Sequence, residues 1–227
     1  MYKLVIVRHG ESVWNKENIF TGWTDIELSD LGRKQAQKAG KILKQANYDF
    51  DLAFVSVLKR AEDTLSLILK ELDLKIPIER AWQLNERHYG ALQGLNKDEI
   101  KEKYGEELFK QWRRSYDVRP PALEKTDSRY SGHDPQYAGL SDEQLPRTES
   151  LKDTEKRVMP YWKKQIIPKI FQGQKIIICA HGNSIRALAK NIEKISDQEI
   201  PNLEIPLGQP FVYEFNQDLD LIKKFYL

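Results

Sequence analysis

The sequence holds a single cysteine, Cys179, among its 227 residues. No internal disulfide can form, and the thiol fits a reducing, cytoplasmic setting. It lies inside an apolar run, where it reads as a buried strand residue and not a catalytic thiol. Histidine is scarce as well: His9, His88, His133 and His181 are the only four. They form neither an H-E-x-x-H motif nor a Cys/His cluster, so no metal centre is expected. An excess of one charge is also missing. Lys and Arg number 36 against 34 Asp and Glu, a net charge of +2, which argues against a nucleic-acid partner. No apolar run approaches the roughly 18 residues of a membrane span. The opening Met1-Tyr2-Lys3-Leu4 moves straight into a strand pattern, so no signal peptide is expected. No internal repeat is visible. What remains is the composition and length of one globular domain spanning 1–227.

Short β-branched runs alternate with helical patterns. Strands are expected at 3–7, 52–57, 76–80 and 175–180, with a closing hairpin at 210–215 and 220–226. Helices are expected at 29–47, opened by Ser29 and Asp30, at 59–72, and at 184–194. Residues 97–114 read as two short helices broken at Gly105. Ser150 and Asp153 form a capping box for a helix that Pro160 kinks. This alternation predicts an α/β fold, a mostly parallel central sheet flanked by helices. Residues 115–149 carry Pro120, Pro121, Pro135 and Pro146 and show no periodicity. So long an irregular run is uncommon in a compact domain. The 97–149 region is read as an insertion within the domain that caps the active site, with a plain surface loop as the alternative for 115–149.

Two of the apolar runs end in histidine followed by glycine. Leu4-Val5-Ile6-Val7 leads into Arg8-His9-Gly10-Glu11-Ser12, and Ile176-Ile177-Ile178-Cys179-Ala180 leads into His181-Gly182-Asn183-Ser184. Parallel sheets bind ligands beyond the carboxyl ends of their strands. Arg60 follows the second strand and Glu86 follows the third. Four segments therefore deliver two His, two Arg and one Glu to one rim. That set suits phosphoryl transfer through a histidine nucleophile. A neutral imidazole attacks phosphorus, guanidiniums neutralise the phosphoryl oxygens, and a carboxyl group shuttles the proton. Gly182 and Asn183 open a helix, where backbone N–H groups can receive an anion.

Arg8-His9-Gly10-Glu11-Ser12 followed by Asn15 resembles the signature of the histidine phosphatase superfamily. The rest of the chain narrows the likeness: Phe20-Thr21-Gly22-Trp23-Thr24-Asp25, Leu58-Lys59-Arg60-Ala61, Leu84 through Lys97, Trp112-Arg113-Arg114, and Ala180 through Arg186 follow in order. From Met1 to about Tyr213 the chain is similar to the 2,3-bisphosphoglycerate-dependent phosphoglycerate mutases. The resemblance implies that His9 carries the phosphoryl group, that Arg8, Arg60 and His181 hold it in transfer, and that Glu86 is general acid and base. It implies a phosphate pocket of Ser12, Asn15, Thr21, Gly22, Gly182 and Asn183. Tyr89, Lys97, Arg113 and Arg114 would reach the rest of a phosphoglycerate.

It further implies 2,3-bisphosphoglycerate as primer and intermediate, no metal, and a cytoplasmic homodimer or homotetramer whose other partners are small-molecule phosphoglycerates. Many members of that family continue into a mobile basic tail over the site. This chain stops at Leu227, so a tail-gated site is not expected. Three rival readings stand beside it: a phosphatase on the same scaffold, whose simple forms commonly lack Lys97, Arg113 and Arg114 together; a bisphosphoglycerate synthase, which shares nearly all these residues; and a non-catalytic phosphoester-binding module, which would not require His9, Glu86 and His181.

Overall fold

The computed structural model describes residues 1–227. Its centre is a six-stranded sheet of β1 (Tyr2–Arg8), β2 (Leu52–Val55), β3 (Ile78–Arg80), β4 (Ile176–Ala180), β5 (Pro210–Phe215) and β6 (Leu221–Tyr226), in the order β3-β2-β4-β1-β5-β6. The strands β3, β2, β4 and β1 run parallel, and β5 and β6 add an antiparallel edge. Alternation along β1 divides the core: Leu4 and Ile6 face one helical layer, Val5 and Val7 the other. Both sides of β4 are fully buried, as its unbroken apolar run predicts. Shortening one such isoleucine to alanine costs about 2–5 kcal/mol.

The helices are α1 (Val13–Lys16), α2 (Asp30–Gln45), α3 (Lys59–Leu72), α4 (Lys97–Tyr104), α5 (Glu106–Arg114), α6 (Leu151–Tyr161), α7 (Ile167–Phe171) and α8 (Gly182–Ile192). Ser29 caps α2 through the Gly32 N–H, and the Ser150–Asp153 capping box opens α6. Gly32 lets α2 dock on the loop after β1, since a Cβ there would sit 1.9 Å from the Glu11 carbonyl oxygen.

Strand β3 and helix α2 are shorter than expected by two and three residues, and three further differences have a local cause. Strand β2 ends at Val55, because the Ser56 hydroxyl turns the chain by accepting the Leu58 N–H. Helix α8 begins at Gly182, two residues early, with His181 as its N-cap. Pro160 lies inside α6, which continues into a π-helical turn at Trp162–Ile166 before α7. Wide turns of this kind absorb a break in the helical hydrogen-bond ladder.

Residues 115–149 contain only short 3₁₀ turns, at Ser131–His133 and Pro135–Tyr137. The segment is nevertheless packed. Leu123, Tyr130, Tyr137 and Leu145 bury themselves with Trp23 in a separate apolar cluster. Within 97–149 it is Arg113 and Arg114, at the end of α5, that line the cleft described next. No helix is long and apolar enough to cross a membrane.

Candidate active site

Parallel pairing of β1 with β4 sets Arg8 opposite Ala180. The next residue of each strand is a histidine, so register alone brings His9 and His181 together. Their ring centroids lie 4.9 Å apart, and the His9 N–H donates to the Ala180 carbonyl at 3.0 Å. The His9 Nδ1 lies 2.6 Å from the Gly10 carbonyl oxygen. A carbonyl only accepts, so Nδ1 carries the ring proton and Nε2 keeps its lone pair. Burial, with the charges of Arg60 and Arg8, holds the His9 imidazole well below the usual histidine range. The ring is therefore neutral and nucleophilic at neutral pH.

His181 is fully buried, and its pKa is likewise depressed by burial and by Arg60 and His9. Its Nε2 lies 2.8 Å from the Ser56 hydroxyl, which itself donates to Asn85 Oδ1 at 2.8 Å. Asn85 in turn donates to the Tyr137 hydroxyl at 2.9 Å. With its own proton given to Asn85, Ser56 accepts from His181 Nε2–H. That leaves Nδ1 without a protein partner.

Arg60, on the first turn of α3, is 1% exposed and donates to the carbonyls of Thr24 and Gly22 at 3.0 and 2.8 Å. Burial lowers its pKa to about 10, which still leaves it charged. Gly22 adopts φ +59°, a left-handed turn that suits glycine. Arg8 is fixed by one bond to the Ile205 carbonyl at 2.8 Å, and its Nε has no partner. The Thr21 hydroxyl is buried and unpartnered too. Buried donors left without acceptors are costly, and an anion satisfies them. Glu86 Oε1 accepts from the Asn183 N–H at 3.0 Å and from the Arg87 N–H at 2.8 Å. Its other oxygen has no bond to the protein.

A cleft of about 190 Å³ opens beside these groups, lined among others by Arg8, Glu86, Tyr89, Arg113, Arg114 and Arg186. Gly182 and Asn183 line it from the first turn of α8. The Tyr89 hydroxyl accepts from Asn183 Nδ2 at 3.2 Å. Burial raises the Tyr89 phenol, but Arg87, 4.6 Å from its ring centroid, prevails and holds it below its usual value. The Lys97 ammonium stands 5.7 Å from the centroid of Phe20, lowered by burial and by nearby Arg113 and Arg8. Ser12 and Asn15 cap one another at the start of α1: each backbone N–H donates to the other's side chain at 3.1 Å.

Sequence reasoning assigned no role to Arg186, Arg87 or Ser56. Arg186 is 4% exposed, donates to Asn183 Oδ1 at 3.0 Å, and has an unpartnered Nε. Its position four residues after Gly182 on α8 was the available signal. Nothing in the sequence links Ser56 to His181.

The family model for the histidine phosphatase superfamily (branch 1) matches residues 4–131 and 128–226. The chain belongs to that superfamily. Among solved structures, a mycobacterial glucosyl-3-phosphoglycerate phosphatase in complex with VO3 is 24% identical, with a TM-score of 0.74 over 100% of this chain and 97% of its own. A putative alpha-ribazole-5'-P phosphatase from Escherichia coli is 19% identical, with a TM-score of 0.70, covering 100% of this chain and 96% of its own. Bacillus stearothermophilus YhfR is 20% identical, with a TM-score of 0.72, covering 94% and 91%. At these identities the structural likeness speaks to the superfamily fold and not to a substrate.

Proposed function

We propose that this superfamily member is a phosphoglycerate mutase working through a phosphohistidine at His9. The observation that carries the reading is a second cationic group beyond the first. Arg8, Arg60, His9 and His181 suffice for one phosphoryl group. Arg113, Arg114 and Arg186 line a cleft together with Arg8 and Glu86, and Lys97 lies near Arg113 and Arg8, so a substrate with a second anionic group is matched. The unpartnered N–H groups of Arg8 and Arg186 fit such a polyanion, 2,3-bisphosphoglycerate included.

In the forward half-reaction the substrate hydroxyl oxygen attacks phosphorus on phospho-His9. The N–P bond breaks, and the hydroxyl proton passes to Glu86 Oε2. In the second half, His9 Nε2 attacks the other phosphoryl group of the bisphosphate. The P–O bond breaks, and Glu86 returns its proton to the departing oxygen. The guanidiniums of Arg8 and Arg60, held by carbonyls before substrate arrives, stabilise the charge on the equatorial oxygens. His181 adds positive charge once a phosphate draws a proton onto Nδ1.

A phosphatase is the second reading, in which water takes the phosphoryl group from His9. It is favoured by two of the structural neighbours described above, whose names are phosphatases. A bisphosphoglycerate synthase uses the same residues. One assay separates the three: rates of 2-phosphoglycerate formation, phosphate release and bisphosphate formation from 3-phosphoglycerate with a trace of the bisphosphate. Isomer exchange well above phosphate release is expected; release as the dominant rate would replace the mutase reading. A cytoplasmic homodimer is part of the same proposal.

A further inference from the structure

A buried ion pair lies behind Glu86 and takes no part in the chemistry above. Arg157 on α6 and Glu149, the last residue of the irregular segment, have side chains only 8% and 4% exposed. The pair is bidentate: Arg157 Nε and Nη2 donate to the two Glu149 oxygens at 2.7 and 2.9 Å. A buried pair of this kind is weak evidence for stability alone, because desolvation offsets much of its attraction. Its remaining hydrogen bonds show what it does hold.

All of them go to one turn. Arg157 Nη1 donates to the Gln83 carbonyl at 2.7 Å, and Nη2 to the Glu86 carbonyl at 2.8 Å. Glu149 Oε2 accepts the His88 N–H at 2.8 Å, and the Glu149 N–H donates to the His88 carbonyl at 2.8 Å. The Trp23 indole N–H adds a bond to the Glu86 carbonyl at 2.7 Å, and the Arg157 guanidinium lies 5.4 Å from the Trp23 ring centroid. The backbone on both sides of Glu86 is thus gripped, while its side chain lines the cleft with Oε1 bound to the Asn183 and Arg87 N–H groups and Oε2 left open. The Glu86 segment belongs to no helix or strand, between the 3₁₀ turns Trp82–Leu84 and Gly90–Leu92. No regular ladder fixes it, so the grip must come from outside.

We propose that Arg157 and Glu149 are positioning residues that set the place of the Glu86 carboxyl for proton transfer, and that they tie the end of the 115–149 segment to that group. The inference rests on the role of Glu86 in the proposed function. Arg157→Lys keeps the charge but loses the fork that holds Glu149, Gln83 and Glu86 together. A small displacement of a catalytic group costs up to about 100-fold.

Leaving-group dependence tests the proposal. An aliphatic alcohol such as the phosphoglycerate oxygen leaves only with a proton. A dinitrophenolate leaves without one. Arg157→Lys is expected to lower kcat on phosphoglycerate about 10- to 100-fold, with KM and the pre-steady-state burst of dinitrophenolate, which reports transfer to His9 alone, little changed. In a Glu86→Gln background the same change should add nothing further, because both act on one proton transfer. Glu149→Gln is the second variant should Arg157→Lys fail to fold, and the same selective loss is expected. Equal losses on both substrates, no loss, or full additivity with Glu86→Gln would overturn the inference. If Glu86→Gln itself fails to discriminate the two substrates, the reading of Glu86 falls instead, and the two failures are told apart.

Discussion

The inner and outer halves of the candidate site are built differently. Around His9 and His181 the groups stand at strand ends or on the first turn of a helix leaving the sheet, and the guanidiniums of Arg8 and Arg60 are braced by carbonyls of Ile205, Gly22 and Thr24. At the outer edge Lys97, Arg113 and Arg114 ride on α4 and α5, two short helices with few buried residues. Arg114 there pairs with Glu204, whose side chain is 70% exposed. Exposed pairs contribute about 0–1 kcal/mol, so an arriving carboxylate or phosphate displaces Glu204 at small cost. The inner half is organised before substrate comes. In the proposed reaction the outer half trades one carboxylate for another, and it is there that we place the choice of substrate.

If that division holds, substitutions should sort by substrate. The largest effect is expected at Glu86, which serves both half-reactions of the proposed mechanism. Glu86→Gln should lower mutase turnover by roughly 10²–10⁴, the usual worth of general acid–base catalysis, while direct ligand binding changes little. Steady-state turnover beside calorimetric binding measures both. Near-normal turnover would leave Glu86 a structural residue.

Next comes the outer edge. Arg113→Ala with Arg114→Ala should reduce kcat/KM on phosphoglycerate at least tenfold, since a charge-assisted hydrogen bond contributes about 1.5–3 kcal/mol. Hydrolysis of a small aryl phosphate should stay near its starting rate. Comparable losses on both would erase the distinction between the halves.

The smallest effect concerns stability. His88 is fully buried, accepts the Gly90 N–H at 3.0 Å, and burial with Arg157 and Arg129 lowers its pKa to about 3. Its unfolded counterpart titrates near 6.5, so the unfolded chain binds the extra proton between pH 6.5 and 3. Stability falls as pH drops through that window, by about 2 kcal/mol at pH 5 from this group. His88→Asn, which keeps an acceptor for Gly90, should lose that share of the slope in denaturation midpoints taken from pH 7 to pH 4. An unchanged slope would mean that His88 titrates normally in the folded chain.

Much of the inner half was legible in the sequence, and for one reason. Apolar runs mark strands, strands in parallel align their ends, and the residues just past those ends share a rim. His9 and His181 follow from that logic. The outer half was named by family resemblance, since Arg113 and Arg114 alone read as a solvated helix face. What escaped is held by contacts distant in sequence. Ser56 meets His181, and Arg157 and Glu149 meet the turn around Glu86, through side-chain bonds that no periodicity announces. The 115–149 segment escaped because its order comes from Tyr130, Tyr137 and Leu145 packing on Trp23 and not from a repeating pattern. Pro160 marked α6 as irregular, but gave no sign of the π turn that follows it.

The central claim is that His9 takes the phosphoryl group on Nε2. Brief incubation with 2,3-bisphosphoglycerate, an alkaline quench and peptide mass spectrometry test it directly. The account predicts an acid-labile, base-stable phosphoryl group on the peptide carrying His9, absent in His9→Ala, with mutase activity lost in the same variant. Phosphate found on another residue, or labelling that persists in His9→Ala, would contradict it.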